Sequence, residues 1–442
     1  MSKTNRYYVL MVVLLSAISV FAQGYSWDED LHHRLRVDFN KTREQVKSYI
    51  EGYIPNVTDA QMDVWEKTGA LESRTFDGKK WYFHNAAPNL FKIDDSCRQI
   101  KLQKDGPTGH EENLANKETV PAIIKNCRES GSYLAEPKHI RIHYSITVNA
   151  DAVPAGKTIR CWLPFPRTDI YRQNNVRLID TNVKKFVRAP MSCGHSSIYM
   201  EQKAKAGDSV VFSETFEYTS YGSWFNLRPK NIQPYDTTTQ IYKVYTSERD
   251  QHMVFTPRLR HLADSLTHGE TNPLFKARKI FKWVNDHFPW ASAREYSTID
   301  NIPEYVLNYR HGDCGQVSLL FLTLCRISGI PAHFESGFML HPGAVNLHDW
   351  GQLYFQGIGW VPADMSFGIP LYAKNDDEKW FFLGGIDSWR MVVNSDFGMP
   401  LYPTKKYPRS ETVDFQRGEV EWEGGNLYFD KWKWNIEVTY LP

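Results

Sequence analysis

Hydrophobic side chains in the first part of the chain recur mostly with the period of an α-helix. Within residues 23–136, Val46, Tyr49 and Ile50 lie at i, i+3 and i+4, the spacing of one buried helical face. Residues 81–83 and 90–93 are short apolar runs, and each is predicted to be a strand. The pattern therefore predicts a mixed, mainly helical N-terminal region.

From residue 137 onward the pattern becomes an alternation. Ile140, Ile142 and Tyr144 alternate with polar side chains, which is the signature of a strand with one buried face. Turns such as the one at Gly207 separate further strand candidates. Residues 137–250 are therefore predicted to form an antiparallel β-sandwich.

Helical spacing returns in residues 251–405. Ala277, Ile280 and Val284 share one face of a predicted helix. The last segment, residues 406–442, alternates again and is predicted to complete the sheet of the preceding core or to form a C-terminal β extension. Together these periods predict an α+β protein.

A cysteine stands at the start of one apolar helix. Val317, Leu320 and Leu324 form the buried stripe of this helix, and Gly329 ends it. Cys314 therefore occupies the amino end, where unpaired backbone N–H groups and the helix dipole favour a thiolate over a thiol. We expect Cys314 to be a nucleophile, with the following glycine leaving its sulfur accessible.

A base and an acid follow on two predicted strands. His348, Trp350 and Gln352 share one face of the first strand, and the chain returns after a glycine-containing turn to Asp364. An odd number of residues in the turn would put even-numbered positions of both strands on one face, so that Asp364 reaches His348. An even number would put them on opposite faces.

Cys314, His348 and Asp364 come in the order nucleophile, base and orienting group. The sequences around them are Gly-Asp-Cys-Gly-Gln, His-Asp-Trp and Gly-Trp-Val-Pro-Ala-Asp. Together they resemble the bacterial form of the transglutaminase-like superfamily, over roughly residues 255 to 370. The resemblance implies those three roles, and a papain-like transglutaminase core preceded by the β-sandwich and the helical region.

The chemistry that the resemblance implies is acyl transfer through a thioester. The sulfur of Cys314 attacks an amide carbonyl, and an amine or water then resolves the thioester. Hydrolysis is favoured, because Gly315 stands where animal transglutaminases carry tryptophan and no acidic cluster suggests their calcium sites. No cofactor or metal is therefore expected. The family also places an aromatic residue near the cleft, and Trp290 or Tyr296 is the candidate here.

Two other interpretations of these residues stay open. Zinc binding would use Cys314, Cys325, His341 and His348, but the cysteines lack the close spacing of a zinc knuckle. A non-catalytic scaffold would keep the fold and bind a glycan or a protein at the cell surface. Retained residues alone do not distinguish a scaffold from an enzyme.

Residues 1–22 are predicted to be a secretory signal peptide. Lys3 and Arg6 precede an apolar run, and Val20 and Ala22 form a small-residue cleavage site. The product is expected in the periplasm or outside the cell, with no stable membrane insertion.

Charge and cysteine content limit the partners and cross-links. The formal net charge falls from +1 to −1 when the two basic residues of the signal peptide are removed, which favours neither nucleic acid nor an anionic membrane. The expected partner is a peptide or protein substrate, with or without an attached glycan, and the oligomeric state stays open. An oxidising compartment would allow Cys97 to pair with Cys127 and Cys161 with Cys193, one of three full pairings of these four cysteines.

Overall fold

The computed structural model describes residues 25–106 and 111–442. The predicted signal peptide, residues 1–22, lies outside them. Within the described ranges, no helix is long and apolar enough to cross a membrane. The N-terminal region is mixed and mainly helical, with helices α1 (Trp27–Asp38), α2 (Arg43–Glu51), α3 (Asp59–Lys67), α4 (Ala86–Ile93), α5 (Asp95–Asp105) and α6 (Glu111–Ser130), and strands β1 (Phe39–Lys41), β2 (Ser73–Phe76) and β3 (Lys79–Phe83).

A small core of its own holds this region together. Val46 and Ile50 of α2 are buried in that core, and β3 contains the strand predicted at residues 81–83. The second predicted strand is helical instead. Ala86 and Leu90 lie one turn apart on the buried face of α4, so tertiary burial of a helical face outweighs the strand preference of a short apolar run.

Two antiparallel five-stranded sheets form the predicted β-sandwich. The first contains β4 (Leu134–Val148), β6 (Gln173–Thr181), β9 (Val210–Trp224), β13 (Gly385–Ile386) and β17 (Trp432–Leu441), and the second contains β5 (Thr158–Pro164), β7 (Phe186–Arg188), β8 (Ser197–Lys203), β15 (Glu419–Trp422) and β16 (Gly425–Asn426). Alternation in β4 turns Ile140, Ile142 and Tyr144 inward, and all three are fully buried. Trp162 of β5 packs in the same core.

The C-terminal segment belongs to this sandwich. β17 pairs with β4 from Trp432 opposite Val148 to Leu441 opposite His139, and β15 pairs with β5. The expectation that residues 406–442 complete the sheet of the preceding core is therefore wrong, and their strands extend the two sheets of the sandwich. The pairing depends on a contact between segments far apart in the sequence. β9 pairs with one edge of β4, and β17 pairs with the other edge, which would otherwise be open.

The third unit packs helices against a four-stranded antiparallel sheet. The helices are α7 (Gln240–Tyr245), α8 (Pro257–Thr267), α9 (Pro273–His287), α10 (Ile302–Tyr309), α11 (Cys314–Ile327) and α12 (Asp376–Lys379), and the strands in sheet order are β12 (Gly359–Ala363), β11 (Ala344–Phe355), β10 (Ala332–His341) and β14 (Arg390–Ser395). The predicted stripe of Val317, Leu320 and Leu324 is buried along α11. Gly329 follows the helix with a φ of +77°, a left-handed conformation that glycine adopts without strain.

The N-terminal region is fixed to the loop before α10. The Asn89 amide donates to the Ser292 carbonyl at 2.6 Å and accepts from the Ser292 N–H at 3.0 Å. Asp38 accepts a hydrogen bond from the backbone N–H of Glu295 at 3.0 Å. These contacts hold the backbone that leads directly into Tyr296.

All six cysteines are unpaired. Cys97 lies in the core of the N-terminal region, whereas Cys127 lies in the main core. Cys161 is buried inside the sandwich, and Cys193 is partly exposed. The expected disulfides are therefore wrong, because the two members of each pair lie in different environments.

Candidate active site

The hairpin of β11 and β12 brings His348 to Asp364. Phe355 pairs with Gly359, which leaves three residues in the turn. This odd number puts even-numbered positions of the two strands on one face. His348 Nε2 lies 2.8 Å from Asp364 Oδ2, and both side chains are buried. The histidine and the aspartate therefore form a hydrogen-bonded pair.

Two groups besides His348 hold Asp364 in its charged form. The backbone N–H of Phe367 donates to Oδ1 at 3.0 Å, and Arg390 Nη1 lies 2.9 Å from Oδ2. Burial alone would raise the pKa of Asp364, but His348 and Arg390 bring that pKa below its ordinary value. The carboxylate is therefore ionised at neutral pH and fixes the orientation of the imidazole.

Arg390 connects this pair to a second one. Its Nη2 donates to Asp387 Oδ2 at 2.6 Å, and its Nε donates to the same oxygen at 2.9 Å. Asp387 Oδ1 lies 3.1 Å from His341 Nε2, and all three side chains are fully buried. The sequence analysis missed Arg390 and Asp387, for which an Asp-x-x-Arg spacing outside any motif is the only signal.

The imidazole of His348 is buried against two aromatic rings. Its ring packs against Phe367, at 5.0 Å between ring centres, and against Trp350, at 5.8 Å. Burial is the largest influence and lowers the pKa of His348 in spite of Asp364. A neutral imidazole can accept a proton. Nε2 is taken by Asp364, and within the described parts of the chain Nδ1 has no hydrogen-bond partner.

Cys314 begins α11, as the apolar stripe predicts. Asp313 caps the helix and accepts a hydrogen bond from the backbone N–H of Gln316 at 3.0 Å. The Cys314 thiol donates to Asp349 Oδ2 at 3.3 Å, and its described contacts include no hydrogen bond to His348. Asp349 directly follows His348 in the sequence, so the sulfur contacts the neighbour of the residue that it is expected to meet, and the expected hydrogen bond between Cys314 and His348 is not formed.

The surroundings of Cys314 disfavour a thiolate. Burial raises the pKa of the thiol, and Asp349 and Asp313 raise it further. The expectation that the helix start favours the thiolate is therefore wrong for this state of the site. A helix dipole contributes only about 0.3–1 kcal/mol, and burial of the thiol together with the two nearby acids outweighs it.

Tyr296 and Gln416 complete the polar surroundings of the sulfur. Tyr296 donates to Asp313 Oδ1 at 2.6 Å, and its hydroxyl lies 3.5 Å from Asp349 Oδ2. Gln416 Nε2 donates to Asp349 Oδ1 at 2.6 Å and to the backbone carbonyl of His348 at 2.8 Å. Nothing local in the sequence identifies Gln416, because it reaches the site from the segment before β15.

Further buried acids surround the same end of α11. Burial raises the pKa of Asp313 to about 6 and that of Asp414 to about 6. Burial, Asp414 and Asp313 raise the pKa of Asp349, and Glu411 adds to the effect. Arg417 Nη2, 3.3 Å from Glu411, supplies a counter-charge. These acids come from separated segments, and in the described ranges no group of three or more His, Cys, Asp or Glu is placed to hold a metal ion.

Other residues singled out from the sequence lie apart from the sulfur. Trp290 is 47% exposed, with Lys92 Nζ 4.0 Å from the ring centre, so Tyr296 is the aromatic residue at the site. Cys325 is buried inside α11. His341 faces Asp387, and the four zinc candidates are not gathered into one site.

Comparison with known proteins gives one family. Residues 260–365 match the model of the transglutaminase-like superfamily. An uncharacterized protein from Haemophilus influenzae is 24% identical over 258 residues, which cover 50% of this chain and 68% of that protein. Among solved structures, a candidate cysteine protease from Cytophaga hutchinsonii is 14% identical, with 70% of this chain and 93% of that chain covered and a TM-score of 0.48. The periplasmic domain of TgpA from Pseudomonas aeruginosa is 14% identical, with 52% and 88% covered and a TM-score of 0.29.

The matched segment contains Cys314, His348 and Asp364, whereas Arg390 and Gln416 lie beyond it. At these identities no activity transfers from the relatives to this chain. The family resemblance that the motifs predict is confirmed, and residues 260–365 are a transglutaminase-like core.

Proposed function

We propose that this chain is a cysteine-dependent acyl-transfer enzyme acting on peptide or amide bonds, with hydrolysis favoured over transfer to an amine. The observation that supports it most strongly is the buried His348–Asp364 pair at 2.8 Å, next in sequence to the residue that the Cys314 sulfur contacts. Burying an imidazole and an ionised carboxylate costs desolvation, which a purely structural role does not require.

In the proposed mechanism His348 is the base and Cys314 the nucleophile. With Nε2 bound to Asp364, Nδ1 of His348 is the atom that takes the thiol proton in this mechanism, and the sulfur then attacks the carbonyl carbon. The step requires a rearrangement that brings the sulfur to His348, because the sulfur contacts Asp349, whose side chain lies on the opposite face of β11. The oxyanion forms at the amino end of α11, where the backbone N–H of Cys314 stabilises it. His348 then gives its proton to the leaving amine, and a thioester remains.

Water resolves that thioester in the favoured version of the reaction. Gly315 supports hydrolysis, because this chain lacks the tryptophan that follows the nucleophile in animal transglutaminases. An amine in place of water would give a new amide. We place the reaction in the periplasm or outside the cell, on the basis of the predicted signal peptide, with a peptide or protein as substrate.

The deciding experiment compares the wild type with Cys314→Ala. The variant is expected to lose all release of ammonia or amine from susceptible amide and peptide substrates, with its circular dichroism unchanged. Cys193→Ser, which alters a partly exposed cysteine outside the site, is the control and should keep the wild-type rate. Adding a primary amine separates the two reactions, since incorporation of the amine marks a transferase and free acid alone marks a hydrolase.

The contact of the thiol with Asp349 in place of His348 favours a second candidate function, a non-catalytic scaffold. A scaffold would bind its glycan or protein partner equally well with Cys314→Ala and would turn over no amide substrate. Mass spectrometry of the protein after exposure to a peptide library distinguishes the two candidates, because an acyl group on Cys314 forms only in the enzyme.

A further inference from the structure

Asp349 and His348 are neighbours in sequence, but strand geometry turns their side chains to opposite faces of β11. The face of Asp349 is the one that packs on α11, as Gly351 shows: a Cβ there would lie 2.7 Å from the Leu322 side chain. From this face Asp349 Oδ2 accepts the hydrogen bond of the Cys314 thiol at 3.3 Å. The carboxylate is therefore in direct contact with the reacting atom.

A dedicated hydrogen bond holds Asp349 in this position. Gln416 Nε2 lies 2.6 Å from Asp349 Oδ1 and 2.8 Å from the backbone carbonyl of His348, so it fixes the side chain relative to its own strand. Gln416 is itself 2% exposed. Oδ1 is thus occupied by the amide, and Oδ2 is left to the thiol.

The residue after the nucleophile is fitted to this carboxylate. A Cβ on Gly315 would lie 2.7 Å from Asp349 Oδ2 and 2.3 Å from the Tyr296 hydroxyl, closer than such atoms approach without rearrangement. A glycine at position 315 is therefore required for packing as well as for access to the sulfur. It makes room for Asp349 and Tyr296 at the amino end of α11.

We infer that Asp349 is the resting-state partner of the Cys314 thiol, and that its carboxylate keeps the thiol protonated while the two are in contact. The inference rests on the proposed function and adds a fourth polar residue to its site. The resting enzyme is then a thiol and a neutral imidazole, not an ion pair.

The groups around this contact set its pH dependence. Asp349 suppresses ionisation of the thiol only when it carries its own charge, and the acids nearby oppose that charge. Its effect should therefore disappear at low pH and grow as the carboxyl ionises. The charged or titratable groups that surround Cys314 and Asp349 on this side of β11 are Glu295, Tyr296, Asp313, Glu411, Asp414 and Arg417.

The test is alkylation of Cys314 by iodoacetamide in the full chain without substrate, followed by peptide mapping. Asp349→Asn keeps the size of the side chain and removes the charge, so alkylation at a pH of about 8 should become roughly tenfold faster or more, the effect of one lost charge at hydrogen-bond distance. The two rates should converge at acidic pH. Asp264→Asn, which removes an exposed carboxyl on α8, is the matched control and should match the wild type.

Equal rates at every pH would overturn the inference, and slower alkylation of Asp349→Asn would do so by making Asp349 a base for the thiol. Should that variant not fold, the wild type alone decides. The pH of half-maximal alkylation of Cys314 should be higher in the folded chain than in the urea-unfolded chain, and a lower value would refute the inference. Because no substrate is used, the outcome is independent of whether the protein hydrolyses amides.

Discussion

Replacing Arg390 by methionine tests whether the buried ion pairs support the candidate site. Arg390 is fully buried, 2.9 Å from Asp364 and 2.6 Å from Asp387. Methionine keeps an apolar stem against Phe367, whose ring centre lies 4.3 Å from the guanidinium carbon. The substitution therefore removes charge and hydrogen bonds more than packing.

The expected loss of unfolding free energy follows from the carboxylates left behind. Removing one partner of a buried pair typically costs about 3–5 kcal/mol. Asp364 retains His348, and Asp387 retains His341 and the Trp389 N–H at 2.9 Å, so we expect a value near the lower end, about 3 kcal/mol. Asp387→Asn in the same chain should recover part of the loss, because one of the two unpaired charges is gone.

The assay is urea unfolding followed by tryptophan fluorescence, repeated across pH. The folded-state pKa of Asp364 is depressed, so its stabilisation is present above the unfolded pKa, about 4, and is lost as pH falls through the folded pKa. Because Arg390→Met weakens that depression, the difference from the wild type should be largest at neutral pH and should narrow in acid. The control is Arg98→Met, which breaks an exposed pair at 2.6 Å and should cost less than about 1 kcal/mol. Equal losses of unfolding free energy in Arg390→Met and Arg98→Met would refute the argument that burial makes the Arg390 ion pairs important for stability.

Two further substitutions test the amino end of α11. Gly315→Ala should lower both amide turnover and thermal stability, the latter by about 1–3 kcal/mol, because its Cβ would meet the Tyr296 hydroxyl at 2.3 Å. Adding Tyr296→Phe should restore part of the stability, and additive losses in the double variant would contradict this explanation. Asp313→Asn keeps a helix cap and removes a group whose folded pKa is raised to about 6. A raised pKa stabilises the fold below the unfolded value and ceases to do so as pH rises to about 6, so the wild type should lose stability relative to Asp313→Asn between about pH 4 and 6. A constant difference in urea midpoint across that range would exclude a buried, protonated Asp313.

Elements that bury one continuous face could be predicted from the sequence. The stripe of Val317, Leu320 and Leu324 defines α11 because a helix brings those positions together without help from the rest of the chain. The pairing of His348 with Asp364 follows in the same way from alternation and an odd turn. The strand predicted around Leu90 is wrong, because an apolar run this short shows neither the helical nor the alternating period clearly, and the segment is helical.

Groups that act through long-range contacts could not be predicted. Gln416 and Arg390 reach the site from segments with no motif, and nothing near them in sequence indicates a partner. The state of the Cys314 thiol depends on Asp349 and Asp313, whose charges act only after folding has removed water. The sequence alone predicts that the helix dipole lowers the pKa of the Cys314 thiol, whereas burial and the two nearby acids raise that pKa in the folded chain.

The pairing of β17 with β4 has a consequence for the order in which the site is assembled. A chain synthesised or exported from its N-terminus presents Cys314 and His348 well before Gln416 and β17. Until those later residues arrive, Asp349 lacks its amide partner and the sandwich lacks an edge strand. The Cys314 thiol of a nascent chain therefore lacks its finished surroundings, and we expect the proposed activity to appear only after residues 432–441 have joined the sheet.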